Sequence, residues 1–396
     1  MRDLNGVATE PPPPPETRVS RAATLKRWAL EAGFDRAGIA VLERAAHGEA
    51  FLRWLDAGHQ AGMGYLERGT ERRLDPRLLA PGARSMLCVA LRYRVPADEE
   101  TLDGDLWPRV ARYARGDDYH DLVGRRLEGL CRRIEDRFPG TVTRPYVDTG
   151  PVLEREWAAR AGLGAIGKNT NLLHPEDGSY FLLGEILLGL DLEPDPPLAD
   201  LCGSCRACLD ACPTGALAAP YLLDSRLCIS YWTIEHRGAI PAQVRPLLED
   251  WVFGCDVCQE VCPWNAAPEP ATDPALAAPE RRRGLGLVDL LQIQRDDYEE
   301  RFRRSPMKRA KRSGLRRNAA VAMGNRRQER YVPSLARALH GGEDAEVRSH
   351  AAWALGRIGG AEARAALSGA LASEARTEVR AEVEAALAEG APRRSG

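Results

Sequence analysis

The chain has 396 residues, enough for two to four domains of ordinary size, and its formal net charge is only −2. This near balance conceals a strongly basic segment, residues 301–330, in which Glu329 is the sole acid. No run of eighteen apolar residues occurs, so the sequence predicts no membrane-spanning helix. Residues 1–18, with five consecutive prolines at 11–15 and no apolar core, indicate a disordered lead in a cytoplasmic protein and not a signal peptide.

Helices and strands alternate in the next part of the chain, which predicts an α/β domain over residues 19–195. The segment from Thr24 to Phe34 has helical spacing, ends at Gly33 and leads into a strand at residues 36–41. The further predicted elements are a strand at 85–92, a helix at 119–138, a strand at 143–147, a helix just after Pro151 and a buried strand at 180–190. An acid- and proline-rich linker at 191–197 then ends the domain.

The most specific pattern in the chain is a set of eight cysteines at residues 196–268. They are Cys202, Cys205, Cys208, Cys212, Cys228, Cys255, Cys258 and Cys262, and prolines follow Cys212 and Cys262. Three cysteines spaced two residues apart wrap one face of a 4Fe–4S cluster, and the fourth, followed by proline, reaches another cluster. The spacing therefore predicts a ferredoxin-like domain with two 4Fe–4S clusters.

On the same rule each cluster takes four thiolates. One set is Cys202, Cys205, Cys208 and Cys262, and the other is Cys212, Cys228, Cys255 and Cys258. A loop or helix must intervene between Cys228 and Cys255. Structural zinc and disulfides are the alternatives, but zinc does not explain two Cys-Pro endings, and disulfides need an oxidising compartment. Cys88 and Cys131 lie in apolar or helical surroundings and are predicted to be buried packing residues.

Beyond an Ala- and Pro-rich linker at 266–279, residues 280–396 are predicted to be helical. Residues 317–324 match residues 349–356 at a period of 32, and the same step reaches Val379 and Leu387. The Ala and Leu positions share one helical face, which indicates stacked helix pairs of the HEAT type. A plain amphipathic helical tail is the alternative.

Polar residues cluster around residues 146–170. A strand that ends at Asp148 would direct its carboxylate into a cleft, although a helix N-cap is the simpler role for this residue. The glycine run 162–167 imitates a nucleotide-binding loop, yet it follows a predicted helix and has the wrong spacing. His120 follows Asp118 in a near match to a cobalamin motif, but Gly124 comes one residue late, so a polar cluster at a helix start is the preferred interpretation.

Several segments taken together resemble the epoxyqueuosine reductase family, in order, from about Val19 to the C-terminus. They are YARGDDYH at 113–120, VDTGP at 147–151, the run 162–170, the cysteine runs 202–213 and 255–264, CISYWTIE at 228–235 and RAKRSGLRRN at 309–318. The chain departs from the family at Ala165, where a tryptophan is usual, and in its proline-rich lead.

The resemblance implies an α+β multidomain enzyme in which the N-terminal domain holds cobalamin and the clusters supply electrons. Such an enzyme removes the epoxide oxygen of epoxyqueuosine at the wobble base of tRNA and gives queuosine. It implies that Asp148 is the proton donor, which would require a raised pKa. Its candidate cobalamin contacts are Lys168, Asn169, Leu172, Ser230, Cys255 and Asp256.

The basic segment is expected to bind the phosphates of tRNA. The candidate residues are Lys308, Arg309, Lys311, Arg312, Arg316 and Arg317. An unidentified electron donor and a monomeric state are also expected. Two other functions are alternatives. A reductive dehalogenase would lack the basic helical tail and usually carries an export signal, and a non-enzymatic electron carrier would leave the N-terminal domain without a task.

Overall fold

The computed structural model describes residues 16–95 and 108–389, so most of the proline-rich lead lies outside the described residues. The N-terminal domain is built on a four-stranded sheet of β1 (Arg36–Val41), β2 (Ser85–Arg92), β4 (Thr143–Tyr146) and β7 (Phe181–Leu188). The strand order is β1-β2-β7-β4, and every neighbouring pair is antiparallel. The helices are α1 (Arg18–Glu31), α2 (Gly48–Asp56), α3 (Thr70–Leu74), α4 (Tyr119–Arg137) and α5 (Glu154–Arg160).

Helices cover both faces of this sheet, and strand alternation decides which side chains meet them. On one face, Leu25 of α1 and Leu127 of α4 pack against Leu87 and Ile186. On the other face, α5 packs Trp157 against Met86, Cys88 and Leu187. A residue at an odd-numbered position of β7 therefore points towards α5.

The cysteine-rich part of the chain contains only short elements, as expected where a bound cofactor helps to organise the fold. Its helices are α6 (Ala207–Ala211) and α7 (Val257–Glu260), which contact each other. Its strands are β8 (Leu217–Ala219), β9 (Leu222–Leu223) and β10 (Trp251–Phe253), and β10 pairs with β3 (Arg109–Val110) of the N-terminal domain. A further hairpin, β5 (Ala165–Ile166) with β6 (Leu172–Leu173), carries the glycine-rich run.

The C-terminal part is helical throughout its described length. The helices are α8 (Leu287–Gln292), α9 (Arg295–Arg301), α10 (Lys311–Arg326), α11 (Val332–Gly341), α12 (Ala345–Ile358), α13 (Ala361–Ser373) and α14 (Thr377–Glu389). Helices α10, α12 and α14 pack side by side as one layer, and α11 and α13 form the second layer. The 32-residue period relates the members of the first layer, which confirms the prediction of stacked helical repeats.

The repeats share one apolar core with the cysteine-rich segment. Tyr231, Trp232 and Phe253 of that segment pack in the same cluster as Leu315 and Trp353 of the repeats. Among the described residues, no helix combines the length and apolar character needed to cross a bilayer.

The element predictions for the N-terminal domain are confirmed. Strands β1 and β2 have the predicted bounds, and α4 runs from Tyr119 as predicted. The helix after Pro151 begins at Glu154, and the buried strand is somewhat shorter than predicted.

Candidate functional site

A cavity of roughly 460 Å³ lies between the N-terminal sheet and the cysteine-rich segment. One wall contains four thiols, those of Cys212, Cys228, Cys255 and Cys258. The lining also includes polar and aromatic side chains, among them Tyr113, Tyr119, Asp148, Glu154 and Arg155. A pocket of this size, lined by both metal-binding and acid–base groups, suits a large redox ligand.

The four other cysteines of the motif form a separate group outside this cavity. The pKa of Cys262 is raised by burial and by the neighbouring Cys202 and Cys205. The pKa of Cys208 is raised by burial and by Cys202. These thiols are therefore close neighbours, and Cys205 is the one exposed thiol of the eight.

The thiols that line the cavity are also close to one another. Burial raises the pKa of Cys258 well above its ordinary value, and Cys255 and Cys228 raise it further. Burial raises the pKa of Cys228, as does the nearby Cys212. The two groups have the same members as the two sets expected from the cysteine spacing, while ligation itself stays a prediction.

Backbone conformation next to Cys255 holds this thiol at the cavity. Gly254 has φ +68°, a conformation that glycine adopts without strain, and its N–H donates to Thr233 Oγ1 at 2.9 Å. A Cβ at this position would lie 2.5 Å from the Cβ of Ala111. A side chain at residue 254 would therefore displace the segment that presents Cys255.

The glycine-rich segment and the residues just after it contact both thiol groups. The Lys168 backbone N–H donates to Cys202 Sγ at 3.4 Å, and Asn171 Nδ2 lies 3.9 Å from Cys258 Sγ. Asn169 Nδ2 donates to the Cys258 carbonyl oxygen at 3.3 Å. Hydrogen bonds to cluster sulfurs are one means by which proteins tune cluster potentials, so this run belongs to the candidate site.

Five of the six candidate cobalamin contacts line the cavity, and Lys168 does not. Asn169, Leu172, Ser230, Cys255 and Asp256 are lining residues. The predicted contact of the Lys168 side chain with cobalamin is not supported, because its ammonium donates to the carbonyl oxygens of Gly203, at 2.6 Å, and Cys205, at 2.8 Å. Its charge therefore stabilises the loop between Cys202 and Cys205 and is not directed into the cavity.

Asp148 lies in the turn after β4 with φ +52°, and its side chain is 55% exposed at the cavity. His120 Nε2 donates to Asp148 Oδ2 at 3.0 Å, and His120 Nδ1 lies 2.6 Å from Asp118 Oδ1. Asp118 also caps α4, accepting from the His120 backbone N–H, as the preferred interpretation of this helix start predicts. Both ring nitrogens of His120 are engaged by carboxylates, so neither is directed at a metal.

This arrangement corrects the expected protonation state of Asp148. The hydrogen bond from His120 lowers the pKa of Asp148, whereas a proton donor was expected to have a raised pKa. Burial lowers the pKa of His120, but the bonds to Asp118 and Asp148 outweigh burial and raise it to about 9. At neutral pH the pair is a carboxylate and an imidazolium, and the proton resides on His120.

Glu154 contributes a second acid to the cavity wall, which the sequence did not single out. Its Oε1 accepts from the Asp148 backbone N–H. Burial and the neighbouring Asp148 raise the pKa of Glu154 to about 7. The VDTGPVLER segment thus brings two acids with different proton affinities to one wall, because α5 folds back onto the turn that carries Asp148.

The predicted phosphate contacts divide into exposed and buried side chains. Lys308, Arg309 and Lys311 are at the surface. Arg309 pairs with Glu235 at 2.7 Å, and its guanidinium lies 5.5 Å from the ring centre of Tyr65. The positive charge of Arg309 also lowers the pKa of Asp148, so this part of the basic surface adjoins the cavity.

The predicted phosphate contacts of three arginines need correction, because their side chains bond within the protein. They are Arg312, Arg316 and Arg317. Arg312 donates to the Ile293 carbonyl oxygen, and Arg316 donates to Leu291 and Asp344. Arg317 is 1% exposed and donates to the carbonyl oxygens of Trp232, His236 and Gly238. Arg316 and Arg317 are therefore structural residues that a phosphate could not reach without unfolding, and Arg312 has little exposed surface.

Two groups of four cysteine thiols, one of which lines a ligand cavity, together with attached helical repeats, are typical of an iron–sulfur oxidoreductase. Family comparisons agree: residues 201–265 match a 4Fe–4S double cluster binding domain, and residues 307–388 match HEAT repeats. Residues 73–149 match the epoxyqueuosine reductase QueG domain. The chain belongs to the epoxyqueuosine reductase family.

Individual relatives extend over most of the chain. The epoxyqueuosine reductase of Pseudomonas aeruginosa is 39% identical over 351 residues, which are 88% of this chain and 96% of that protein. A solved epoxyqueuosine reductase with an epoxyqueuosine-modified tRNA-Tyr stem loop has a TM-score of 0.84 at 31% identity and covers 93% of this chain and 98% of its own. The enzyme from Bacillus subtilis, solved with an aspartate-bearing catalytic loop swung out of its active site, has the same TM-score and coverage at 30% identity.

Proposed function

We propose that this oxidoreductase reduces epoxyqueuosine to queuosine in the anticodon of tRNA, and that the reaction takes place in the cavity between the two domains. The observation that carries the proposal is the composition of the cavity walls. Four thiols suited to a cluster line the same cavity as Asp148 and Glu154, and His120 bonds to Asp148. Electron supply and proton supply therefore meet at one place.

The chain carries a 4Fe–4S double cluster domain. Cys202, Cys205, Cys208 and Cys262 would hold one cluster, and Cys212, Cys228, Cys255 and Cys258 would hold the other. The first group includes the exposed Cys205, and the second lines the cavity. Electrons from an external donor would therefore enter at the first cluster and pass through the second into the cavity.

Cobalamin is the proposed cavity ligand, because the donor set and the lining fit a large group beside a cluster. Asn169, Leu172, Ser230, Cys255 and Asp256 would contact it. When bound, cobalamin supplies a cobalt centre that can be reduced to a strong nucleophile or electron donor. The position of Asn169 and Asn171 next to Cys258 would keep the corrin side of the cavity close to the second cluster.

Asp148 and His120 would act together as the proton source for the departing epoxide oxygen. The imidazolium holds the proton at neutral pH, and Asp148, exposed at the cavity, reaches the substrate side. An alkoxide is a far stronger base than imidazole, so a donor with a pKa of about 9 can protonate it. Asp118 orients the ring from the other side and stabilises its charge.

The exposed basic residues next to the cavity would bind the tRNA backbone. Lys308, Arg309 and Lys311 present positive charge, and Tyr65 under Arg309 offers an aromatic face for an unstacked base. The wobble base lies in a loop, so it could enter the cavity without disruption of a base pair. We further propose that the chain acts as a monomer in the cytoplasm and receives electrons from a separate donor.

The test is a single-turnover assay under anaerobic conditions. Protein with reconstituted clusters is incubated with cobalamin, a strong reductant and an epoxyqueuosine-containing anticodon stem loop, and the nucleosides are analysed by mass spectrometry. We expect the loss of one oxygen mass, dependent on cobalamin. Absence of conversion with intact clusters and bound cobalamin would refute the proposed reaction.

A further inference from the structure

A buried carboxyl group, Glu185, lies behind the cavity wall. It sits in the middle of β7, is 0% exposed, and is opposite Cys88 in β2 and Tyr146 in β4. Its odd-numbered position directs the side chain to the sheet face that α5 covers. Within the described part of the chain, neither of its carboxyl oxygens accepts a hydrogen bond. An ionised carboxylate in this position would lose its hydration without compensation.

Glu154 at the start of α5 is the carboxyl group that faces Glu185. Burial raises the pKa of Glu185 well above its ordinary value, and the negative charges of Glu154 and Asp148 raise it further. Two neighbouring carboxylates repel each other, and a buried carboxylate without a hydrogen-bond donor is costly, so the pair is more stable when one member is protonated. Because Glu185 is fully buried and has no hydrogen-bond donor among the described residues, it is the member of the pair that retains a proton.

The reaction consumes more protons than His120 and Asp148 account for. Conversion of an epoxide to an alkene breaks two C–O bonds, forms one C=C bond and releases the oxygen as water. The step consumes two electrons, which the reduced clusters and cobalamin of the proposed function supply, and two protons. His120 and Asp148 account for the first proton, and a second donor is needed to complete water.

We propose that Glu154 is this second proton donor and that protonated Glu185 is its positioning residue. The inference rests on the proposed function, because it assigns a role within that reaction. Glu154 lines the cavity and contacts the turn of Asp148, so its proton can reach the same oxygen. Once Glu154 is ionised, the hydroxyl of Glu185 donates to it and stabilises the carboxylate.

The charged and titratable surroundings of the pair are consistent with this order of events. Asp148 raises the pKa of Glu154, whereas Arg155 and His120 lower it, and the overall value is about 7. Across the strand, Cys88 has a pKa raised well above its ordinary value by burial and by Glu185. Glu154 is thus the member of the pair able to exchange a proton near neutral pH, and Glu185 and Cys88 stay protonated.

The first test uses the protein without substrate, so it is independent of turnover. Infrared spectra of the full-length protein are recorded against pH, and the carboxylic-acid C=O stretch is followed. We expect one acid band that persists above neutral pH and disappears in Glu185→Gln, and one that titrates near pH 7 and disappears in Glu154→Gln. Absence of both bands at neutral pH would show an ionised pair and overturn the proposal.

The second test compares single-turnover rates and their pH dependence. Glu154→Gln retains an acceptor for the Asp148 N–H but has no transferable proton, so the rate should fall about 100-fold or more. The wild-type rate should fall as pH rises through about 7, and this limb should be absent in Glu154→Gln. Glu185→Gln keeps a donor towards Glu154 and should cost less than about tenfold.

Glu156→Gln is the matched control. Glu156 lies on the same helix, but it bonds to His47 and the Ala46 N–H, away from the cavity. This variant should keep the wild-type rate and pH profile. An unchanged pH limb in Glu154→Gln with normal wild-type turnover would overturn the donor role of Glu154 and leave the proposed function intact. Absence of turnover in wild-type protein with both acid bands present would refute the proposed function, and with it the donor role, but not the protonation of the pair.

Discussion

Replacement of Arg317 by methionine should distinguish the structural arginines of the basic segment from those proposed to bind tRNA. Methionine fills a similar volume but removes the guanidinium that donates to Trp232, His236 and Gly238 at 2.8–3.2 Å. Asn318 loses the same neighbour, because its Oδ1 accepts from Arg317 at 3.0–3.1 Å. The change leaves buried carbonyl groups without a donor.

The magnitude follows from these bonds. A hydrogen bond from a charged donor contributes about 1.5–3 kcal/mol, and the desolvation of a buried guanidinium costs several kcal/mol and offsets part of the sum. Three such bonds therefore give a net loss of about 3 kcal/mol in the free energy of unfolding. For a unit of about 150–250 residues, this loss lowers the Tm by roughly 6–12 °C.

The assay combines thermal unfolding with tRNA binding at several salt concentrations. Arg317→Met should lower the Tm and leave the salt dependence of binding by the folded protein unchanged. Arg309→Ala is the comparison, because Arg309 is 53% exposed on its side chain. It should leave the Tm almost unchanged and reduce the salt slope by about one unit. An unchanged Tm with a reduced salt slope in Arg317→Met would refute the structural role.

Three further predictions follow from the cavity. Asp148→Asn should lower the single-turnover rate by about 10²–10⁴ without a change in cluster absorbance, and NMR titration should show a pKa of His120 below about 9, because one of its two carboxylate partners is gone. Folding raises the pKa of His120, so the stability that this side chain contributes is fully present below about pH 6.5 and is lost as pH rises through about 9. In Asp118→Asn, thermal unfolding measured across this range should therefore depend less on pH. Cys205→Ser and Cys258→Ser should each lose one cluster by iron analysis, but only Cys258→Ser should weaken cobalamin binding in a spectroscopic titration, and equal weakening in both would contradict the assigned cavity wall.

Local patterns in the sequence were sufficient for much of the fold. Strand β2 and the start of α4 agree with the predicted bounds, because short apolar runs and an Asp N-cap encode them locally. The cysteine spacing was equally informative, since cluster geometry restricts it. The 32-residue period located the repeats, because each helix must present its Ala and Leu face to the next.

Long-range electrostatics could not be predicted in the same way. Arginine is seldom fully buried, so nothing in RAKRSGLRRN distinguishes the surface residue Arg309 from the buried Arg317. The lowered pKa of Asp148 depends on His120, which lies 28 residues earlier in the chain. Glu185 carried a usable signal, an acid in the middle of the apolar run FLLGEILL, but its partner Glu154 becomes apparent only when α5 packs on the sheet.

The apolar core shared by the cysteine-rich segment and the repeats has a consequence for how such a protein can be divided or recombined. Trp232 and Phe253 pack in the same cluster as Leu315 and Trp353, and Arg317 and Asn318 bond the backbone between them. A cut in the proline-rich linker before residue 280 would leave two apolar surfaces in water, and neither piece would be expected to fold well alone. The shared core therefore predicts that the repeats cannot be exchanged for those of another protein without redesign of the cysteine-rich segment that they pack against.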